Sequence, residues 1–327
     1  MRQAPMLPED RRVWQRIGGL AFLMALGLPL SVALGVQYDY TLTNVALGGV
    51  LLGVLCGMAG TFAVLRRQSL IGDTLSHAAL PGVVIAFLLF GRESLVLLLG
   101  AALSGGLGVL MVNWLVSTTR LKQDGAMGIV LAAFFAIGVA LLSYIQGRSG
   151  ASQAGLDKFI FGQAAAMVER DVAMLGVACL LIGGLLYAFW KEFKLLTFDP
   201  DFARAVGLPM ARLNGLLSSL IVVAIVLGLQ LAGAILMVGL LIAPAVAARQ
   251  WTRRLEQMIV LAMLFGAFSG GAGAVLSAIE RGLPTGPMMI VVACSLVLVS
   301  VLFAPQRGVL WQLWRQPHRT GEGYERP

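Results

Sequence analysis

The chain has 327 residues, 58% hydrophobic and only 12% charged, with 24 Lys and Arg against 16 Asp and Glu for a net charge of +8. Soluble domains carry about 25% charged residues, so this composition excludes an ordinary water-soluble globular protein. The basic residues are spread over many short segments rather than gathered in one patch, which argues against nucleic-acid binding.

The apolar residues come in long uncharged runs. Residues 17–38, 45–65, 94–119, 125–147, 172–190, 257–279 and 282–306 contain no Asp, Glu, Lys or Arg, and 213–248 form a single uncharged run. A spanning helix needs about 20 apolar residues. Backbone in lipid satisfies its own hydrogen bonds only in helices or closed barrels, and these runs are too long and uniform for barrel strands. The fold class expected is therefore an all-α polytopic membrane protein of about 8–10 transmembrane helices. In chain order, a polar N-terminal segment (1–16) precedes a transmembrane domain (17–306) and a C-terminal tail (307–327). Spans are expected at 17–36, 45–65, 74–91, 94–117, 125–146, 171–190, 213–229, 231–248, 257–278 and 285–304. The first run lacks a small-residue cleavage site and reads as a span rather than a signal peptide. The run 213–248 is long enough for two passes or for one pass plus a re-entrant piece, and LQLA (229–232) is a poor turn. Cys56, Cys179 and Cys294 all lie inside apolar runs, without metal-ligand spacing, and read as small core residues.

The basic residues orient this arrangement. With the N-terminus in the cytoplasm, only Arg92, Arg148, Lys158, Arg170 and Arg281 fall outside, and every other Lys and Arg falls inside. The positive-inside rule selects this orientation over its inverse. An even number of passes keeps both termini cytoplasmic.

Asp73 and His77 stand out in "SLIGDTLSHAALPG" (69–82). One helical turn separates them, which puts both side chains on one face about 6 Å apart along the axis. Pro81 and Gly82 follow, and a kink is expected there. An ionisable group in a membrane helix costs about 2.5–3.5 kcal/mol and usually faces a partner or a watery path. Carboxylate oxygen with imidazole nitrogen suits Zn²⁺ or Mn²⁺. Two such donors suit a site that must release its ion. From residue type alone, an Asp–His contact that only fixes helix packing stands as the other reading.

The surrounding motifs favour the metal. The segment "GTFAVLRRQSLIGDTLSHAALPG" (60–82) resembles the signature of the permease family of ATP-driven importers for zinc, manganese and iron. Further resemblances follow in the family's order: "KFIFGQ" (158–163), "LLTFDPDFARAVGLP" (195–209), "AGAILMVGLLIAPAVAAR" (232–249), "LPTGP" (283–287) and "FAPQRG" (303–308). The resemblance covers about residues 45–308. It implies a bacterial plasma-membrane permease in which Asp73 and His77 serve metal passage. The transported divalent ion is then Zn, Mn or Fe, with no permanently bound cofactor. Glu280 reads as a charge at the outer interface.

"FDPDFARAVGLP" (198–209) reads as a short, well-delimited helix. Asp199 is its expected N-cap, Pro200 its first residue, and Gly207 its C′ residue. Asp201 complements the dipole, and Pro209 prevents continuation. About seven residues (200–206) are too few for a stable isolated helix, so this one must dock. The resemblance makes it a coupling helix for a separate ATPase subunit, with Phe202 as apolar anchor and Ala203 and Gly207 allowing close approach.

The sequence contains no G-x-x-x-x-G-K-[ST] phosphate loop, so ATP hydrolysis is assigned to another polypeptide. One permease type serving two ATPases implies a homodimer, whose twofold axis brings two Asp73–His77 pairs together. An extracytoplasmic metal-binding protein is the further partner implied. A permease for metal chelates and a proton-coupled secondary transporter are the alternatives. An intramembrane zinc protease lacks its H-E-x-x-H.

Overall fold

The computed structural model describes residues 15, 17–20, 39–68, 70–91, 93–146, 162, 164–279, 283–304 and 308–310. Among them all regular structure is helical. The helices are α1 (Tyr40–Leu65), α2 (Ile71–Phe90), α3 (Ser94–Thr118), α4 (Gln123–Gln146), α5 (Glu169–Ala188), α6 (Trp190–Phe198), α7 (Pro200–Ala205), α8 (Met210–Ala232), α9 (Ala234–Trp251), α10 (Leu255–Ile279) and α11 (Thr285–Phe303). Eight of these described helices are long and apolar enough to cross a membrane, and α9 supplies a shorter apolar helix from Leu236 to Trp251. The chain is a polytopic α-helical membrane protein. The expected span 17–36 lies outside the described residues except for helical 17–20.

The long run 213–248 divides at Gly233. Its φ of +82° is a left-handed conformation that ends α8, and α9 starts at the next residue. Only a residue without Cβ adopts that angle cheaply. The second half of the run is therefore a shorter helix, carrying Pro244 inside it.

The bundle is organised about α1, which packs against α10, α9, α5 and α8. Its contact with α10 is backbone to backbone. Gly49, Gly53 and Gly57 face Gly270, Gly266 and Ala262, and a Cβ on Gly53 would run into the Gly266 carbonyl. Small residues at this spacing let helices approach at minimal separation, which in lipid replaces the hydrophobic drive as the source of packing energy. A second layer joins α2 to α3 and α4. Burial grades outward: 72% of the spanning windows of α1 and α8 is buried, against 22% for α4 and α5 and 17% for α11. The outer helices expose large apolar side chains such as Leu103, Leu107, Leu180 and Leu298. In lipid or against a second chain such exposure carries no penalty.

The turn from α1 to α2 sets where α2 begins. Arg67 takes a left-handed φ of +57°, which costs an L-residue roughly 1–2 kcal/mol. Gln68 N–H donates to Ala63 carbonyl (2.9 Å) and Arg67 N–H to Val64 carbonyl (3.2 Å), closing the end of α1 with a paired-carbonyl cap. The Arg66 guanidinium donates through Nη2 to Asn214 Oδ1 on α8 at 2.7 Å. Its burial lowers its hold on the proton from the usual arginine value.

Candidate metal transit site

Helix α2 carries its carboxylate in the first turn, where Asp73 complements the positive end of the helix. Hydroxyls of Thr74 and Ser76 donate back to the carbonyls of Leu70 (2.9 Å) and Gly72 (2.7 Å), so they add no free polar groups to the helix. His77 stands one turn on. Its Nε2 lies 3.3 Å from Asp73 Oδ1, and the two side chains are 26% and 41% exposed. The one-face register read from the sequence is therefore present. The pair sits at a partly open position, accessible to a small ion without entering the packed core.

Helix α4 supplies a neighbour that the sequence did not mark. Phe135 meets the His77 ring edge-on, with centroids 4.7 Å apart and planes at 72°. That contact restrains the imidazole plane. His77 Nδ1 is buried and has no hydrogen-bond partner among the described residues. A neutral imidazole that turns Nε2–H towards Asp73 keeps its lone pair on Nδ1. The nitrogen beside the Asp73 carboxylate is Nε2; in the other tautomer its lone pair would face that oxygen, and imidazole nitrogen with carboxylate oxygen is a donor set that suits transition-metal ions. Among the described residues no group of three or more His, Cys, Asp and Glu side chains is placed to hold a metal ion. Among these residues Asp73 and His77 stand as a pair, without a third such side chain beside them.

Pro81 lies inside α2, and the helix continues through it to Phe90. Gly82 is occupied with packing: a Cβ there would collide with the Gly100 carbonyl of α3. Its role is the close approach of α3 to α2, beside whatever bend Pro81 introduces.

The short helix predicted at 200–206 is α7, one residue shorter at its end. Asp199 Oδ1 accepts the Phe202 N–H at 3.0 Å. Gly207 has φ +83°, and the bonds Gly207 N–H to Arg204 carbonyl (3.0 Å) and Leu208 N–H to Ala203 carbonyl (3.1 Å) complete a Schellman cap. Phe202 is exposed. Ala203 is fully buried, so it seats α7 on its own chain rather than meeting a partner. Phe198, the last residue of α6, and Val206, the C-cap of α7, are also exposed.

Helix α6 ties this element to the bundle. Phe193 is fully buried and packs edge-to-face on Phe62 of α1, centroids 6.1 Å apart. Lys194 Nζ pairs with Glu256 Oε1 of α10 at 2.6 Å. The α1 end held by Phe193 is the one whose turn leads directly into α2. Glu280, most of "KFIFGQ" and residues 305–307 of "FAPQRG" lie outside the described residues.

Residues 37–304 match the model of the ABC 3 transport family. The chain belongs to that family. An ABC 3 relative, the zinc transport system membrane protein TroC of Treponema pallidum (strain Nichols), is 52% identical over 279 residues, covering 85% of this chain and 94% of that protein. The manganese transport system membrane protein MntC of Bacillus subtilis (strain 168) is 48% identical over 280 residues, covering 85% of this chain and 64% of that longer protein. Among solved structures, PsaBC from Streptococcus pneumoniae in complex with Fab superposes with a TM-score of 0.73 at 29% identity, over 86% of this chain and 97% of that one. Membership in ABC 3 makes the chain a membrane component of a transport system, not the catalytic one.

Proposed function

We propose that this protein is the membrane permease subunit of an ATP-driven importer of a divalent transition-metal ion, Zn²⁺, Mn²⁺ or Fe²⁺. The observation that carries the reading is the Asp73–His77 pair, 3.3 Å apart and partly open on α2, in a chain about half identical to permeases named for zinc and manganese transport. A carboxylate supplies charge to attract the ion, and an imidazole supplies a borderline donor that discriminates against Mg²⁺ and Ca²⁺. Two donors bind weakly enough for onward movement.

In the proposed assembly two copies meet about a twofold axis, so that two Asp73–His77 pairs converge on one path. The arginine-rich end is cytoplasmic by the positive-inside rule. The exposed side chains of Phe198, Phe202 and Val206 then face the cytoplasm, and Phe202 seats in an ATPase subunit. A metal-binding protein delivers the ion at the other face. ATP binding pulls on α7, α6 transmits the displacement to α1 through Phe193 and Phe62, and α1 carries it to α2. The site is thereby exposed alternately to each side.

The test is uptake of Mn²⁺ and Zn²⁺ by cells that express the His77→Ala chain with its ATPase and binding protein and lack other routes. Uptake of both ions is expected to fall to background while the assembly still purifies intact. Wild-type uptake of either ion by that variant would overturn the reading.

A further inference from the structure

Pro81 sits in the interior of α2, four residues beyond His77. In an α-helix the N–H of residue i+4 donates to the carbonyl of residue i. Proline has no N–H, so the His77 carbonyl loses its helical donor, and the proline ring tilts it away from the axis. A peptide oxygen in a membrane span ordinarily demands such a donor. The adjacent carbonyl in the perturbed turn is secured from outside: Ser104 Oγ on α3 donates to the Ala78 carbonyl at 2.6 Å.

The packing keeps this turn in place. A Cβ on Gly138 of α4 would come within 3.0 Å of Leu80 Cβ and 3.3 Å of Pro81 Cδ, so α4 has an open notch against the proline ring. One turn along α4, Phe135 holds the His77 ring. His77 and Pro81 therefore face the same helix, and the freed carbonyl belongs to the residue whose imidazole forms the site.

We propose that the peptide carbonyl of His77, released by Pro81, is a third donor to the transported ion. This rests on the metal-transit reading of Asp73 and His77. Helical side chains lean towards the N-terminus and carbonyls point towards the C-terminus. The three donors thus form a ladder along α2: peptide oxygen, imidazole, carboxylate. An ion moving along α2 towards its N-terminus meets them in that order. The carbonyl is a hard, neutral oxygen, which suits Mn²⁺ better than Zn²⁺.

The experiment measures initial-rate Mn²⁺ and Zn²⁺ uptake by the complete transporter carrying Pro81→Ala. That change restores the N–H and removes an interior helix breaker, so it favours folding of α2. Loss of a direct donor should weigh at least as much as loss of an outer partner of a metal ligand, which costs roughly tenfold or more in affinity. The expected result is a rise of about tenfold in the Mn²⁺ KM and a smaller rise for Zn²⁺. Replacing Pro81 by lactic acid through α-hydroxy-acid incorporation removes both ring and N–H, and is expected to return the Mn²⁺ KM towards wild type. An unchanged KM in Pro81→Ala, an equal rise for both ions, or no recovery with the ester would overturn the proposal. His77→Ala is run alongside: if it transports normally, the metal-transit reading itself fails, whatever Pro81→Ala does.

Discussion

Asp199→Ala isolates one hydrogen bond in the proposed coupling helix. Asp199 Oδ1 accepts the Phe202 N–H at 3.0 Å, and α7 has only six residues, from Pro200 to Ala205. A helix that short has no stability of its own. It rests on this cap, on the Schellman closure at Gly207, and on the burial of Ala203. Removing an Asp cap costs about 1 kcal/mol, which lowers the ratio of formed to unformed helix about fivefold. Apparent affinity for a partner that recognises the formed helix falls with the competent fraction. Binding of the purified ATPase subunit to the permease in nanodiscs should therefore weaken by up to about fivefold. Asn caps as well as Asp, so Asp199→Asn should bind like the wild type. If Asp199→Asn weakens binding as much as Asp199→Ala, the side chain acts through its charge and the capping argument is wrong. No change in Asp199→Ala would show that docking alone holds α7.

Two further outcomes follow from the packing. Phe193→Ala empties a fully buried aromatic site beneath Phe62, a change that costs about 3–5 kcal/mol in protein cores. Its thermal unfolding midpoint in detergent should drop, and ATP hydrolysis by the transporter assembled with it should persist with metal transport reduced, because the proposed link from α6 to α1 is cut; tight coupling at wild-type stability would refute that link. Gly53→Val places a branched side chain against the Gly266 carbonyl, where α1 and α10 touch backbone to backbone. Yield of monodisperse protein on size exclusion should collapse, whereas Gly184→Val, at a position with nothing within 4 Å of an added Cβ, should purify normally.

Several features of this protein were fixed by local chemistry and so were legible in the chain. Uncharged runs matching the hydrocarbon thickness gave the spans, because an ionised residue within them is too costly. The ends of α7 followed from Asp199, Pro200 and Gly207, residues whose backbone preferences act over three or four positions. The shared face of Asp73 and His77 followed from helical periodicity alone.

Other features required the tertiary structure. In water, burial is written as an alternation of polar and apolar residues; in lipid, the solvent is as apolar as the core, and that alternation disappears. Helices α1 and α11 are both uniformly apolar, yet one lies at the centre of the bundle and the other at its edge. The boundary within 213–248 carried no charge to mark it, and it fell at Gly233 by backbone conformation. Ala203 is fully buried, and α7 packs against α6, an inward turn that residue type alone does not specify. Phe135 reached His77, and Phe193 reached Phe62, only because α4 and α6 packed where they did. The sequence determined that Asp73 and His77 share one helix face; the packing of α4 against α2 decided what holds the imidazole.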